Sequence, residues 1–266
     1  MAEKRATLLV ILATVVLIVV FFTFSALSPP TDSSLRVGYA IERPYAYLND
    51  QGELTGAYIK TAEKIARRMD TEEIEWIQIR FDKLLSNLRQ GHIDLVGSGM
   101  YHTRQRDKHF DFSIPFMEVD SAIIVDKSLQ PAIENRTLEA PITIAVQAGS
   151  VEASRLDKKT TQTELTALEV PYPQTGLESL EAGLSDGLYL SNPSLETIKR
   201  RHRQQYEIIA ESALVGNFEK LDIGFVFNEN DDELRKQWNE ASANWVGSDE
   251  HIELITRFGF SRDNLP

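Results

Sequence analysis

Gly91 to Phe116, GHIDLVGSGMYHTRQRDKHFDFSIPF, is the stretch that decides the fold. Ile93, Leu95 and Val96 around Asp94 predict a short buried strand. Gly97, Ser98 and Gly99 follow, where the backbone can turn at little steric cost and leave N–H groups free. Thr103 is placed to cap the next segment, with Arg106 three residues on. A second apolar run, Phe110 to Phe116, comes directly after. An arginine at the mouth of a strand, beside a Gly/Ser turn, suits a carboxylate. The planar guanidinium offers two parallel charge-assisted bonds and the backbone donors complete the cradle. Spacing alone favours a solvated surface arginine.

Upstream, LRVGYA from Leu35 reads as a strand, followed by a loop around Pro44 and a turn at Asn49–Gly52. Tyr58, Ala62, Ile65, Ala66 and Met69 recur at helical spacing within Leu54 to Met69. Ile74 to Ile79 alternates as a strand, and Phe81 to Gln90 is an amphipathic helix that Gly91 stops. Strand, helix, strand, helix, strand in this order predicts right-handed crossovers and a mostly parallel sheet covered on both faces.

Downstream the pattern repeats. Strands are expected at 120–126, 142–146, 168–172, 187–190 and 206–210. Helices are expected from about Val151, at 175–184 and at 195–205. Gln147-Ala148-Gly149-Ser150 is a second Gly/Ser element at a helix N-terminus, which suits an anion. An apolar strand at 221–227 and helices at 233–245 and 249–258 close the chain.

The chain has 266 residues, a net charge of −12, 26% charged and 42% hydrophobic residues, and no cysteine. The acidic balance argues against nucleic acid as a partner, because phosphate binding needs a basic face. Lys199-Arg200-Arg201-His202-Arg203 reads as the solvated face of a helix. Without cysteine there is no disulfide, thiolate metal site or lipoprotein lipid attachment. The five histidines show no metal-ligand spacing, so no metal and no cofactor are expected. Ala6 to Leu27 carries no charge after Lys4 and Arg5. As a helix it would span about 33 Å, enough for a bilayer core. With a poor cleavage site at Phe24-Ser25-Ala26, this favours an uncleaved anchor over a removed signal peptide, with its basic end in the cytoplasm. Ser28 to Ser34 is a polar tether.

GSGMYHTRQRDKHFDFSIPF resembles the signature of the bacterial extracellular solute-binding proteins of family 3, the polar amino-acid binding proteins of ABC transporters. Thr103, Arg106 and the run Asp111-Phe112-Ser113-Ile114-Pro115-Phe116 match it, and the resemblance extends over almost all of Leu35 to Phe260. It implies an α/β, periplasmic-binding-protein-like two-lobe fold of type II, plus the N-terminal transmembrane helix. Residues 1–34 would be anchor and tether, 35–117 plus 218–266 lobe one, and 118–217 lobe two. The hinge would lie near Met117–Asp120 and Val215–Lys220.

The resemblance also implies site residues. Arg106 would hold the ligand's α-carboxylate with Thr103 and the backbone of Gly99 and Tyr101. Gly149, Ser150 and Val151 would join from lobe two. Phe81 would line the pocket or belong to the core. Glu42 stands where many relatives stack an aromatic ring, and Tyr39 or Tyr45 is the candidate to replace it. The expected ammonium-binding aspartate of lobe two is Ser191, a neutral side chain that stabilises an ammonium far less. Either Glu42 substitutes, or the ligand is no ordinary α-amino acid. Lys60 is read as a solvated helix charge.

The implied function is a membrane-tethered extracytoplasmic receptor that delivers an amino acid or related small carboxylate to an ABC permease, without catalysis. The alternatives are a ligand-sensing regulatory module and a cyclohexadienyl-dehydratase-like enzyme. The enzyme would need a general acid of raised pKa, for which Glu42 and Glu196 are the candidates.

Overall fold

The computed structural model describes residues 34–71, 73–160, 165–229 and 231–266. The expected anchor lies outside them. Among the described residues no helix is long and apolar enough to cross a membrane.

Strand β1 (Ser34–Tyr39) leads into a hairpin of two short strands, β2 (Tyr47–Leu48) and β3 (Leu54–Thr55). Asn49 turns it: its Oδ1 accepts the N–H groups of Gln51 and Glu53, each at 2.9 Å. Helix α1 (Ala57–Arg68) therefore begins three residues later than the apolar spacing predicts, because Leu54 and Thr55 are spent on pairing with Leu48 and Tyr47. It buries Tyr58, Ala62, Ile65 and Ala66, the expected face. Strand β4 (Glu73–Gln78), helix α2 (Leu84–Arg89) and strands β5 (Leu95–Val96) and β6 (Phe110–Phe112) follow.

The chain then leaves through β7 (Met117–Val119) and builds a second sheet. Its elements are β8 (Ser121–Asp126), α3 (Gln130–Glu134), β9 (Ile142–Gln147), α4 (Val151–Thr160), β10 (Leu165–Val170), α5 (Pro173–Glu181), β11 (Gly187–Ser191), α6 (Asn192–Arg201) and β12 (Tyr206–Ala210). The strand expected at 168–172 ends at Val170, because Pro171 has no N–H for a ladder and Pro173 opens the helix. Strands alternate their side chains between two cores. Ile123, Val125, Ile144, Val146 and Tyr189 meet Leu156 of α4 on one face. Ala122, Ile124, Ala145, Leu188 and Leu190 meet Leu177 and Leu195 on the other. Burial on both faces is why these segments read as near-continuous apolar runs.

The return is through β13 (Leu221–Ile223), β14 (Val226–Asn228), α7 (Asp232–Ala243) and α8 (Asp249–Thr256). The expected single strand at 221–227 is broken at Gly224 and Phe225. There Ser113 intervenes: its N–H donates to the Phe225 carbonyl at 2.9 Å and its Oγ accepts the Phe225 N–H at 3.0 Å. Strand β13 pairs antiparallel with β7, while β14 inserts between β5 and β6.

The first sheet has the order β4-β1-β5-β14-β6 and the second β10-β9-β11-β8-β12. Both are mixed rather than mostly parallel. The pairs β1–β5, β9–β10 and β9–β11 run parallel; β14 against β5 and β6, and β8 against β11 and β12, run antiparallel. In the first sheet the antiparallel member is the strand that comes back from the second half of the chain.

Candidate functional site

After β5 the backbone passes Gly97 and Gly99, neither of which takes a positive φ. Close approach, not turning, demands glycine there. A Cβ on Gly97 would lie 2.8 Å from Val37 Cγ1, and one on Gly99 would lie 3.3 Å from the Tyr45 ring. Nor is the Gly97 N–H free, since it donates to the Gly38 carbonyl at 2.9 Å. Thr103 Oγ1 accepts the Arg106 N–H at 3.3 Å and so shapes the turn that carries the arginine.

The half-buried Arg106 side chain reaches from the first half to the second. Its Nη1 donates to the Tyr101 carbonyl at 2.7 Å and its Nη2 to the Gly149 carbonyl at 3.2 Å. The guanidinium carbon stands 5.9 Å from the centroid of Phe81, which otherwise packs with Leu84 and Leu88 in the core. Desolvation lowers the Arg106 pKa to about 10, opposed by the charge of Glu152, so it stays cationic at neutral pH. Arg106 lines a cavity of ≈ 580 Å³ together with Thr103, Gly149, Ser150 and Val151. Gly149 takes φ +78, and a Cβ there would lie 3.0 Å from Asp82 Cα of the first half. Ser150 Oγ accepts the Ala153 N–H at 3.0 Å and caps α4.

Two hydroxyl relays join the halves. In one, Tyr45 donates to Ser191 Oγ at 3.0 Å, Ser191 to Ser194 Oγ at 2.9 Å, and Ser194 to Glu42 Oε1 at 2.6 Å. Glu42 Oε1 also lies 3.4 Å from Ser191 Oγ. In the other, Tyr101 meets Ser121 Oγ at 3.2 Å, and Ser121 donates to Glu152 Oε1 at 2.7 Å. Both carboxylates are buried. Desolvation pushes the Glu42 pKa up to about 7; the Ser194 bond opposes this and the charge of Glu152 adds to it. Burial raises both tyrosines well above their ordinary range, so each acts as a hydrogen-bond donor.

The structure thus brings Arg106, Thr103, Gly149, Ser150 and Val151 to one cavity, and Glu42 to Ser191. Tyr101 meets Arg106 through its carbonyl and Ser121 through its hydroxyl, and Gly99 lies against Tyr45. Tyr39 does not join them. It packs edge-on against Trp76 at 6.0 Å, with Ala46 and Ile59. Tyr45 occupies the position beside Ser191 instead. Lys60 is paired with Glu63, and Glu196 is exposed.

Ser121, Glu152 and Ser194 were not legible as site residues. An acid in the first turn of a helix is ordinary helix chemistry, which hides Glu152. The Ser191–Ser194 spacing at the start of α6 was the one available signal. Among the described residues no cluster of His, Asp and Glu could hold a metal.

Two α/β halves, joined by paired crossing segments and meeting at a charged seam, define a two-lobe binding-protein fold. The chain belongs to the bacterial extracellular solute-binding proteins, family 3, which it matches over residues 35–260. It is 23% identical over 242 residues to the "Probable amino-acid-binding protein YxeM" of Bacillus subtilis (strain 168), covering 91% of this chain and 89% of that one. An ancestral arginine-binding protein bound to arginine superposes with a TM-score of 0.76 at 22% identity, over 86% of this chain and 100% of the other. The ancestral amino acid-binding protein AncCDT-1, a precursor of cyclohexadienyl dehydratase, gives 0.74 at 21% identity, over 85% and 95%.

Proposed function

We propose that this protein captures an amino acid or related small carboxylate between its lobes and delivers it to an ABC permease. It does so from the extracytoplasmic face of the membrane, anchored through residues 6–27. Lobe one is 35–117 plus 218–266 and lobe two is 118–217, with β7 and β13 as the crossing segments. Arg106 clamps the ligand carboxylate, aided by Thr103 and the Gly149–Val151 turn. Glu42, beside Ser191, receives the ammonium that an aspartate on lobe two would otherwise hold. The relatives' names support an amino acid as the ligand class.

The observation that carries this reading is the Arg106 bond to the Gly149 carbonyl, which puts a cation at the seam where both lobes meet. Opening the lobes breaks that bond and presents the guanidinium to a carboxylate. The test is a thermal-shift screen of the full chain against amino acids, dicarboxylates and prephenate-like acids. A ligand that binds the folded state raises the midpoint by mass action. A flat response to every compound would remove the receptor reading.

Two other readings each have one observation in their favour. The Glu42 carboxyl, pushed up to about 7, has the proton affinity that a dehydratase-like general acid requires. Product formation from the cyclic acids would establish that reading. The Tyr45–Ser191 bond closes the seam with the chain's own side chains, as suits a sensing module. Ligand binding with no interaction with a permease would favour it.

A further inference from the structure

A second charged cavity, of ≈ 380 Å³, opens between the lobes away from Arg106. Arg43 and Arg257 reach it from the first half, and Arg200 and Arg201 from the end of α6. Among the described residues no carboxylate lines it. This is unexpected in a chain of net charge −12.

Basic residues in the last turn of α6 are accounted for by the helix end, whose free carbonyls favour cations. That does not account for the two arginines that meet them from the other side. Arg43 is held in place: its Nη2 donates to the Leu48 carbonyl at 2.9 Å and its guanidinium lies 3.8 Å from the Tyr47 ring centroid. Arg200 extends across to the segment after α8, where a Cβ on Gly259 would sit 3.6 Å from both Nη1 and Nη2. Arg257 is paired with Glu253 of its own helix at 2.5 Å. Arg200 and Arg201 make no ion pair among the described residues, although their neighbour Lys199 does, with Glu207.

We infer that this groove is a second, anion-binding site, separate from the Arg106 cavity, and that it takes a multivalent phosphate group. Several guanidinium forks around one small space match the geometry of phosphate oxygens, and neutralising their mutual repulsion is the driving force. The walls come from both lobes, so an occupied groove also ties the loop of Glu42 to helix α6, the same two elements that the Ser194–Glu42 bond joins. The phosphate can be free in solution or carried by a lipid headgroup.

The experiment uses the full chain in mild detergent at low salt. Inorganic pyrophosphate is titrated, with the thermal midpoint and calorimetric heat as readouts. Arg200→Gln/Arg201→Gln removes two exposed arginines of the groove. Arg136→Gln/Arg203→Gln removes the same charge from exposed positions outside it. Saturable pyrophosphate binding in the parent and in the control pair, weakened at least tenfold in the groove pair, is the expected result. Saturable binding of soluble dihexanoyl phosphatidic acid but not of dihexanoyl phosphatidylcholine, lost in the groove pair alone, assigns the phosphate to a lipid; pyrophosphate binding without it assigns a soluble anion. No saturable binding to either probe, or equal weakening in both variant pairs, overturns the inference.

Discussion

Ser194 Oγ donates a 2.6 Å hydrogen bond to the Glu42 carboxylate, across 152 residues of sequence and from one lobe to the other. Glu42 is thereby part of the lobe contact itself. A carboxyl pushed up to about 7 at that contact makes lobe closure and protonation the same question.

Stability should report this against pH. Glu42 binds its proton more tightly folded than unfolded, so its contribution is complete below its unfolded pKa of about 4 and is lost as pH rises through about 7. His251 has the opposite sign. Burial lowers it to about 4, and its Nδ1 accepts the Gly247 N–H at 3.0 Å, a bond that protonation there would break. Its contribution is lost as pH falls from about 6.5 toward 4. Each shift corresponds to roughly 3 kcal/mol, so between about pH 4.5 and 6.5 the two slopes offset each other. Urea denaturation of Glu42→Gln should therefore show stability rising with pH in that window, where the parent is nearly flat. A parent-like profile in Glu42→Gln would contradict the shift.

Ser194→Ala removes the donor that holds the Glu42 carboxylate ionised. The pH at which stability levels off should move upward, with a loss of about 1 kcal/mol at pH 8. An unmoved inflexion would show that the bond does not govern Glu42.

Gly149→Ala tests closure from the other side of the seam. A side chain at φ +78 is strained in any arrangement, costing about 1 kcal/mol. In the closed arrangement its Cβ also presses on Asp82 Cα at 3.0 Å. Small-angle scattering should give a larger radius of gyration than the parent. An unchanged radius would place Asp82 outside the closing contact.

Lobe two has its own buried charge pair. Arg155 Nη1 lies 3.1 Å from Glu211 Oε2, which also accepts the Tyr189 hydroxyl, and the guanidinium lies 4.1 Å from the Phe218 ring centroid. Arg155→Met leaves Glu211 buried without its cation and should cost about 3 kcal/mol in denaturant titrations. Arg155→Met/Glu211→Leu should recover much of that loss; equal loss in both would show that packing, not charge, is responsible.

The sequence was legible where one local cause governs the chain. The alternation in LRVGY, the helical recurrence from Tyr58 to Ala66 and the turn into α4 after Gly149 each formed close to where they were expected. It was not legible where a distant partner decides. The apolar run 221–227 carries no mark of its break, because the group that breaks it, Ser113, is 112 residues away from Phe225. Tyr39 and Tyr45 were equivalent candidates by composition. The strand sends Tyr39 toward Trp76, while the following loop carries Tyr45 to Ser191. Glu152 reads as any acid at a helix start; what sets it apart is Ser121, which donates to its carboxylate from a strand 31 residues away.

The most direct measurement is calorimetric titration of the full chain with the best amino acid or dicarboxylate from the screen, in the parent and in Arg106→Ala. Hydrogen bonds to a charged group are worth about 1.5–3 kcal/mol, or roughly ten- to a hundredfold in affinity. Saturable binding in the parent, weakened by that factor in Arg106→Ala, is the expected result. Undiminished binding in Arg106→Ala would contradict the carboxylate clamp at the lobe boundary.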